Sequence, residues 1–200
     1  MRRFYTIERL YNYGNDLVCL MNFDLTLIDK MKRGEQHAFS TCYKQLSPAI
    51  YSTVLRICHC KTSAQDILQD TFIQAFNSLN TLEDNDKFVA WCKKISYHKT
   101  INWIRNNEKH LHVLDLDSVQ EPLNNSDLQT HLELEHQLTT LMLHVSPQAR
   151  LILWLYVVEG YNHHEIAKLY DKSVSFSKSI VARTLSILKT KSKEKSRESI

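Results

Sequence analysis

The sequence predicts an all-α protein, and three observations carry that prediction. Glycine and proline number only three each in 200 residues, whereas β-sandwiches and Gly-rich nucleotide-binding sheets need glycine at turns and phosphate loops. Hydrophobic residues make up 43% and charged residues 24% of the chain, a globular composition that excludes wholesale disorder. Apolar residues recur at helical spacing in several segments.

The sequence also predicts a cytoplasmic protein without membrane insertion. The longest unbroken apolar run, Leu151 to Val158, has eight residues, and a bilayer-spanning helix needs about twenty. The start, Met1-Arg2-Arg3, is basic, but Glu8 and Asp16 are among the polar residues that interrupt any signal-peptide core. Five cysteines are an odd number without paired spacing, which fits reduced thiols.

Charge is distributed in blocks. Residues 31–107 carry a net charge of +4, residues 108–137 carry −6, and residues 138–200 carry +5. Two basic blocks around an acidic one indicate two nucleic-acid-facing modules with an acidic connector, and a chance distribution of solvated charge is the alternative. Turn formers and Pro122 in the acidic block are typical of a linker. We place the boundary between the modules near residues 108–130.

The first module is predicted to consist of helices. One runs from about Glu35 to Leu46, and Pro48 should interrupt it or start the next, which continues to about Cys58. The segment from Ser63 to Asp66 resembles a capping box that starts another helix. The apolar stripe of that helix is Leu68, Phe72, Ala75, Phe76 and Leu79. Toward the opposite face lie Asp66, Gln69, Asp70, Ile73 and Asn77.

A later helix, about Phe88 to Arg105, interleaves aromatic and basic residues. Its apolar face carries Phe88, Trp91, Cys92 and Ile95, and among them stand Lys93, Lys94, Tyr97 and Lys99. Aromatic rings stack on exposed bases and lysines follow the backbone, the combination that single-stranded DNA requires. The alternative is that the aromatic rings belong to the core and the lysines keep the helix soluble.

The second module has clear helix-start signals. Ser146 is an N-cap before a proline at the first helical position, and the helix to Val158 is apolar almost all round. Gly160 should end it in the left-handed conformation. The segment Asn162 to Glu165 reads as a capping box for a short helix.

The second module contains a helix-turn-helix candidate. It consists of the short helix after Asn162, the polar turn Asp171 to Ser173 and a last helix from about Ser175 to Lys191. The second helix of such a motif enters the major groove. The expected DNA contacts are Lys172, Ser173, Ser175, Ser177, Lys178, Ser179 and Arg183. The basic tail, residues 193–200, would add nonspecific attraction to phosphates. A plain helical hairpin with a solvated face is the alternative.

Signals for catalysis or metal binding are weak. Cys58-His59-Cys60 has no second Cys/His pair at the spacing of a structural zinc site. No Gly-rich phosphate loop, nucleophile elbow or paired-carboxylate motif is present. We therefore expect a protein that is not an enzyme and needs neither metal nor cofactor.

Four motifs in order resemble the extracytoplasmic-function group of bacterial sigma-70-like sigma factors. They are Gly34–Phe39 with Tyr43, Ser63–Phe72, Phe88–Arg105, and Ser146–Arg150 with Glu159–Tyr161 and Glu165–Ala167. The resemblance implies two small helical domains joined by a flexible acidic linker. The segments are an N-terminal extension or arm at 1–24, a region-2-like domain at 25–107, the linker at 108–135, a region-4-like helix-turn-helix domain at 136–192 and the tail.

The function that this resemblance implies is to direct core RNA polymerase to promoters. The first domain would dock on the beta-prime clamp helices, and its polymerase contacts would be Asp66, Gln69, Asp70 and Ile73. It would also open the minus-ten element, with the contacts Asn80, Lys87, Lys93, Lys94, Tyr97, Lys99 and Arg105. The second domain would bind the beta flap and read the minus-thirty-five element, and the acidic linker would follow the RNA-exit path. The resemblance leaves open whether an anti-sigma factor is a further partner.

The chain departs from the family pattern at several positions. Asp171 stands where the turn usually has glycine, and Ser177 stands where a valine is usual, so that either Phe176 supplies the missing core contact or the turn differs. The loop from Asn80 to Lys87 is acidic for a segment expected to hold an unpaired promoter base. Recognition there would depend on Asn80, Asn85, Lys87 or main-chain groups.

Two other classes of function stay open from sequence. One is a stand-alone helix-turn-helix regulator that binds an operator without polymerase. The other is a sigma mimic that titrates an anti-sigma factor. The acidic face with Asp66 and Asp70 favours the sigma factor, because an operator-binding repressor has no need of it.

Overall fold

The computed structural model describes residues 23–111 and 140–198, with side chains described for 23–107 and 140–192. Within those residues the chain forms helices and turns and no strand, so the predicted all-α class is confirmed. Two compact units are present, and the division falls between Glu108 and Lys109. No helix in the described part is long and apolar enough to cross a bilayer.

The first unit is a bundle of four α-helices and two short 3₁₀ helices in its described part. They are α1 (Thr26–Lys32), α2 (Gln36–Cys58), α3 (Lys61–Asn77), the 3₁₀ helices Leu79–Thr81 and Asn85–Lys87, and α4 (Phe88–Leu111). α2 packs against α1 and α3, and the buried core includes Ile28, Leu46, Val54 and Phe72. Phe23, which the sequence places in the N-terminal arm, is buried in this core and stacks on Phe88 with ring centroids 5.6 Å apart.

Pro48 does not interrupt the helix, contrary to the sequence prediction. α2 runs without a break from Gln36 to Cys58 with Pro48 inside it. A residue with an amide at position 48 would donate to the carbonyl of Lys44. Both positions are exposed, so water can hydrate that carbonyl and the helix continues.

The capping box predicted at Ser63 is also wrong. α3 begins at Lys61, with Cys60 in the extended N-cap position at φ −135°. Ser63 lies inside the first turn, and its hydroxyl donates to the Cys60 Sγ at 3.3 Å. Because α2 ends at His59 in the left-handed conformation, φ 51°, α3 can start two residues later, before the pattern that suggested its beginning.

The second unit is a three-helix arrangement preceded by a helical stretch over 140–143. Its helices are α5 (Pro147–Val157), α6 (His163–Tyr170) and α7 (Val174–Glu198). α7 packs against both α5 and α6. α5 is the central element, as its apolar sequence predicts, and Leu151, Ile152 and Leu155 on it are fully buried.

The predicted helix signals of this unit are confirmed. The Ser146 hydroxyl accepts from the amide of Ala149 at 3.3 Å, and Gly160 has φ +71°. Asn162 Oδ1 accepts from the amides of His164 and Glu165, at 2.9 and 3.0 Å, and the Glu165 carboxylate accepts from the Asn162 amide at 2.7 Å. These reciprocal bonds fix the start of α6.

Candidate protein and nucleic-acid interfaces

One face of α3 presents carboxylates beside an apolar side chain. Asp66, Gln69 and Asp70 are exposed, and Ile73 is 60% exposed. The opposite side of the helix carries its core residues. The structure thus places all four predicted polymerase contacts on the solvent side of one helix. Acidic groups around an exposed apolar residue suit a protein partner with basic and apolar groups.

An aromatic groove of about 550 Å³ lies between the start of α2 and the end of α3. Its lining is Gln36, Phe39, Ser40, Tyr43, Lys44 and Phe76. Phe39 meets Phe76 edge-on at 5.0 Å. Phe76 follows Ile73 by three residues on α3, so the groove adjoins the apolar end of the acidic face. The sequence does not predict this groove, because the groove forms only where α2 and α3 pack against each other.

A salt bridge links this acidic face to α4. The Lys99 Nζ lies 3.9 Å from Asp70 Oδ2, with the two side chains 29% and 64% exposed. The sequence assigned these two residues to different sites, one for polymerase and one for DNA. The structure brings the two side chains together.

The outer side of α4 is basic. Lys94 and Arg105 are exposed, and Lys93 and Lys99 are half-buried. Partial burial, together with the positive charges of Lys94 and Arg105, lowers the pKa of His98. Because a histidine with a lowered pKa is neutral at pH 7, the charge of this surface comes from its lysines and arginine.

Tyr97 is not on that surface, so its assignment as a DNA contact is wrong. The residue is 1% exposed and shares its side of α4 with the buried Ile101 and Ile104, four and seven positions further on. Trp91 and Trp103 are partly buried and pack against the core. Alternation of lysines with aromatic residues therefore marks the border of a buried face on this helix.

The loop between α3 and α4 exposes two of the predicted minus-ten contacts, Asn80 and Lys87. Lys87 Nζ lies 2.9 Å from Asp84 Oδ2, and this bond raises the pKa of Lys87. Asn85, another candidate reader, is occupied within the protein. Its amide nitrogen donates to Asp29 and its amide oxygen accepts from Lys32.

The helix-turn-helix presents most of its predicted DNA contacts to solvent. Exposed there are Lys172, Ser173, Ser175, Lys178, Ser179 and Arg183. The assignment of Ser177 is wrong, because that residue is fully buried and its hydroxyl lies 3.0 Å from His163 Nδ1. Ser177 shares the inner side of α7 with the buried Val181 and Thr184, so its hydroxyl joins α7 to α6.

The turn itself accommodates both departures from the family pattern. Asp171 adopts the left-handed conformation at φ 53°, which explains why glycine would be expected at that position. Phe176 packs on Tyr170 with ring centroids 5.7 Å apart. The structure therefore confirms that Phe176 supplies a packing contact at this corner.

Asp171→Gly is expected to strengthen binding to promoter DNA slightly, with a change in unfolding free energy of about 1 kcal/mol or less. The carboxylate stands at the C-terminus of α6, where negative charge is unfavourable, and it would also repel DNA phosphate. Glycine relieves the left-handed strain but loses more entropy on folding. Fluorescence anisotropy with duplex DNA, alongside thermal unfolding, measures both effects.

Asp171→Asn is the matched variant, because it removes the charge and keeps a side chain that tolerates this conformation. An affinity gain in Asp171→Gly that is absent in Asp171→Asn would contradict the electrostatic explanation.

Comparison with known proteins identifies the first unit. The family model for sigma-70 region 2 matches residues 42–110, from within α2 to near the end of α4. The RNA polymerase sigma factor YlaC of Bacillus subtilis strain 168 is 32% identical over 68 residues, which are 34% of this chain and 39% of YlaC. That match is therefore confined to part of each protein.

Longer matches cover both units. The ECF RNA polymerase sigma-E factor of Haemophilus influenzae is 20% identical over 181 residues, which span 84% of this chain and 94% of the relative. The solved structure of the sigma factor RpoE in complex with the anti-sigma factor NepR, from Bartonella quintana, matches with a TM-score of 0.52 and 18% identity. It covers 76% of this chain and 94% of that chain, and it shows a shared fold. The first unit therefore matches sigma-70 region 2, and across both units the chain is similar to RNA polymerase sigma factors of the extracytoplasmic-function group.

Proposed function

We propose that this sigma factor binds core RNA polymerase through α3, reads and opens the minus-ten element through α4 and the loop before it, and reads the minus-thirty-five element through α7. The observation that carries the proposal is the exposed acidic face of α3 beside the basic side of α4. A stand-alone operator-binding regulator would have no use for that acidic face.

The polymerase surface has two parts with different physical roles. Asp66 and Asp70 would steer basic groups of the beta-prime clamp helices by long-range attraction. Ile73 and the adjoining aromatic groove would bury apolar side chains of the same partner. Carboxylates then set the orientation, and apolar burial supplies most of the affinity.

The minus-ten surface follows from charge and exposure. Lys94, Arg105 and the half-buried Lys93 and Lys99 can neutralise phosphates of the DNA. The side chain of Asn80 is exposed. Its amide is therefore available to a base edge. The burial of Tyr97 removes one stacking platform, so strand capture depends on these polar groups.

The second unit supports the upstream contact. α7 presents Lys178 and Arg183 on its exposed side, and the small exposed Ser175 and Ser179 allow a close approach to the groove. The Arg183 guanidinium lies 3.3 Å from both the carbonyl and the hydroxyl of Ser179. That contact directs the side chain back along the helix toward the end that would enter the groove.

Reconstitution with core polymerase tests the proposed function. The purified chain should form a stoichiometric complex with core enzyme, and the complex should give discrete run-off transcripts from a library of genomic fragments. Core enzyme alone is the control. DNA binding by the free chain without any complex with core would support the stand-alone regulator instead.

Two alanine variants distinguish the expected roles in α7. Lys178→Ala should weaken binding to all promoters about equally and lower the salt slope by roughly one, the behaviour of a phosphate contact. Arg183→Ala should cost about 1–3 kcal/mol and relax specificity at one position, the behaviour of a bidentate base contact. Salt titrations and footprints on one promoter measure both. If neither variant differs from wild type, α7 docks on protein.

An anti-sigma factor is a second partner that we propose. RpoE was solved with the anti-sigma factor NepR, and the exposed Ile73 and aromatic groove offer such a protein an apolar surface. A competition assay tests this proposal. An inhibitor protein that co-purifies with the chain should reduce binding of the chain to core polymerase.

A further inference from the structure

A set of side chains from α1 holds the loop between α3 and α4. Lys32 Nζ donates to the carbonyl of Leu82 and to Asn85 Oδ1, at 2.9 Å each. Asn85 Nδ2 donates to Asp29 Oδ1 at 2.8 Å. We call Asp29, Lys32 and Asn85 the loop clamp. The residues that these three hydrogen bonds join lie 50 to 56 positions apart in the chain.

The clamp fixes both ends of the Asn85 side chain. The amide oxygen is held by an ammonium group and the amide nitrogen by a carboxylate, so neither end can rotate to another partner without losing a charge-assisted bond. The bond from Lys32 to the Leu82 carbonyl also fixes main chain three residues earlier. Two points of the loop are therefore held by one turn of α1.

Further contacts hold the rest of the loop. Leu79 is buried, and Leu82 packs against the core. Asp84 Oδ1 accepts from the amide of Asp86 at 3.0 Å, and Asp84 Oδ2 pairs with Lys87. Asn80 stays exposed in this arrangement. The ammonium group of Lys32 also offsets part of the negative charge that this loop would bring toward DNA.

We propose that Asp29 and Lys32, acting through Asn85, are positioning residues that hold the loop of residues 79–87 in the shape that reads the minus-ten element. The inference rests on the proposed function of that loop. α1 itself would contact no DNA. Its role is to reduce the number of loop conformations before promoter binding, so that less entropy is lost when the base is captured.

Four variants separate the clamp from general effects of charge. Lys32→Met and Asp29→Leu remove the donor and the acceptor. Asp29→Asn loses the same charge as Asp29→Leu but keeps an oxygen that can accept from Asn85. Arg33→Met is the control for loss of a nearby cation, because Arg33 pairs with Glu35 at 2.9 Å.

Hydrogen exchange of the free full-length chain gives the first measurement. One net hydrogen bond corresponds to about a 2- to 13-fold change in an equilibrium. Amides of the loop should therefore exchange about 2- to 13-fold faster in Lys32→Met and Asp29→Leu. Asp29→Asn and Arg33→Met should match wild type. Unchanged exchange in both disrupting variants would overturn the clamp without any reference to polymerase.

Promoter selection by the holoenzyme gives the second measurement. Run-off transcripts from duplex DNA randomised over the minus-ten element report the base preference at each position. The disrupting variants should reduce the preference at the base that the loop captures by about threefold to tenfold, while affinity for core polymerase stays at the wild-type value. A faster-exchanging loop with unchanged preference would overturn the positioning role.

Failure of the proposed function gives a different result. If wild-type holoenzyme shows no preference anywhere in the randomised element while the loop still loosens in the variants, the assignment of the loop to promoter reading is overturned.

Discussion

Replacing Asp66 and Asp70 together by lysine is expected to abolish detectable binding of the chain to core RNA polymerase. Both carboxylates are exposed on α3, so the substitutions should leave the fold intact. Reversing two charges at a complementary interface costs several kcal/mol. A loss of about 3 kcal/mol corresponds to more than a hundredfold increase in Kd. Fluorescence anisotropy of labelled chain with core enzyme measures it.

The salt bridge of Asp70 with Lys99 requires controls for this experiment. Asp70→Lys also removes that pair, whereas Asp66→Lys leaves it in place, so the single variants separate docking from any effect on α4. Glu83→Lys changes the charge by the same amount as each single variant at an exposed position outside α3. Core affinity of the double variant within threefold of wild type would remove α3 from the polymerase interface.

Local sequence signals predicted the second unit well, because the interactions that shape it are short in sequence. The bonds of Ser146 and Asn162 to following amides span two or three residues. Gly160 ends its helix through its own backbone conformation. Each of these features needs only neighbouring residues, so the pattern alone specifies it.

Two errors of prediction occur where the surroundings of a residue, and not its type, decide the outcome. Ser177 resembles a polar surface residue in sequence, but α6 brings His163 against it and buries it. Pro48 reads as a helix boundary, yet its position on the exposed side of α2 lets the helix continue. At Ser177 the neighbouring helix selects one of two environments that the residue type allows. At Pro48 exposure to water does so.

The candidate site was predictable in part. Exposure of the polymerase contacts follows from the helical period of α3, since Asp66 and Asp70 are four residues apart and opposite the apolar stripe. The clamp on Asn85 could not be foreseen, because Asp29 and Lys32 give no local signal for a partner more than fifty residues away. Most of the predicted acidic linker, from residue 112 onward, and the first 22 residues lie outside the described residues, whereas α4 extends over 108–111. The expectations for the parts outside stay predictions.

Tyr97→Ala is expected to destabilise the first unit by about 3–5 kcal/mol, the usual cost of deleting a large buried aromatic ring. Tyr97 is 1% exposed on α4, next to the buried face of Ile101 and Ile104. Tyr97→Phe keeps the ring and should cost about 1 kcal/mol or less. Lys94→Ala, at an exposed position of the same helix, should stay within about 0.5 kcal/mol of wild type.

Urea unfolding of the full chain in a Trp154→Phe background, followed by tryptophan fluorescence, measures these effects, because the two remaining tryptophans, Trp91 and Trp103, lie on α4 and pack against the core of the first unit. The free energy of unfolding separates the two roles that the sequence offered for Tyr97. A stacking platform for DNA would leave it unchanged in Tyr97→Ala and slow only promoter opening. A core residue shifts the unfolding midpoint before any DNA is added. If the unfolding midpoint of Tyr97→Ala equals that of Lys94→Ala, the ring is not part of the core, and Tyr97 would again be assigned as a stacking platform for DNA.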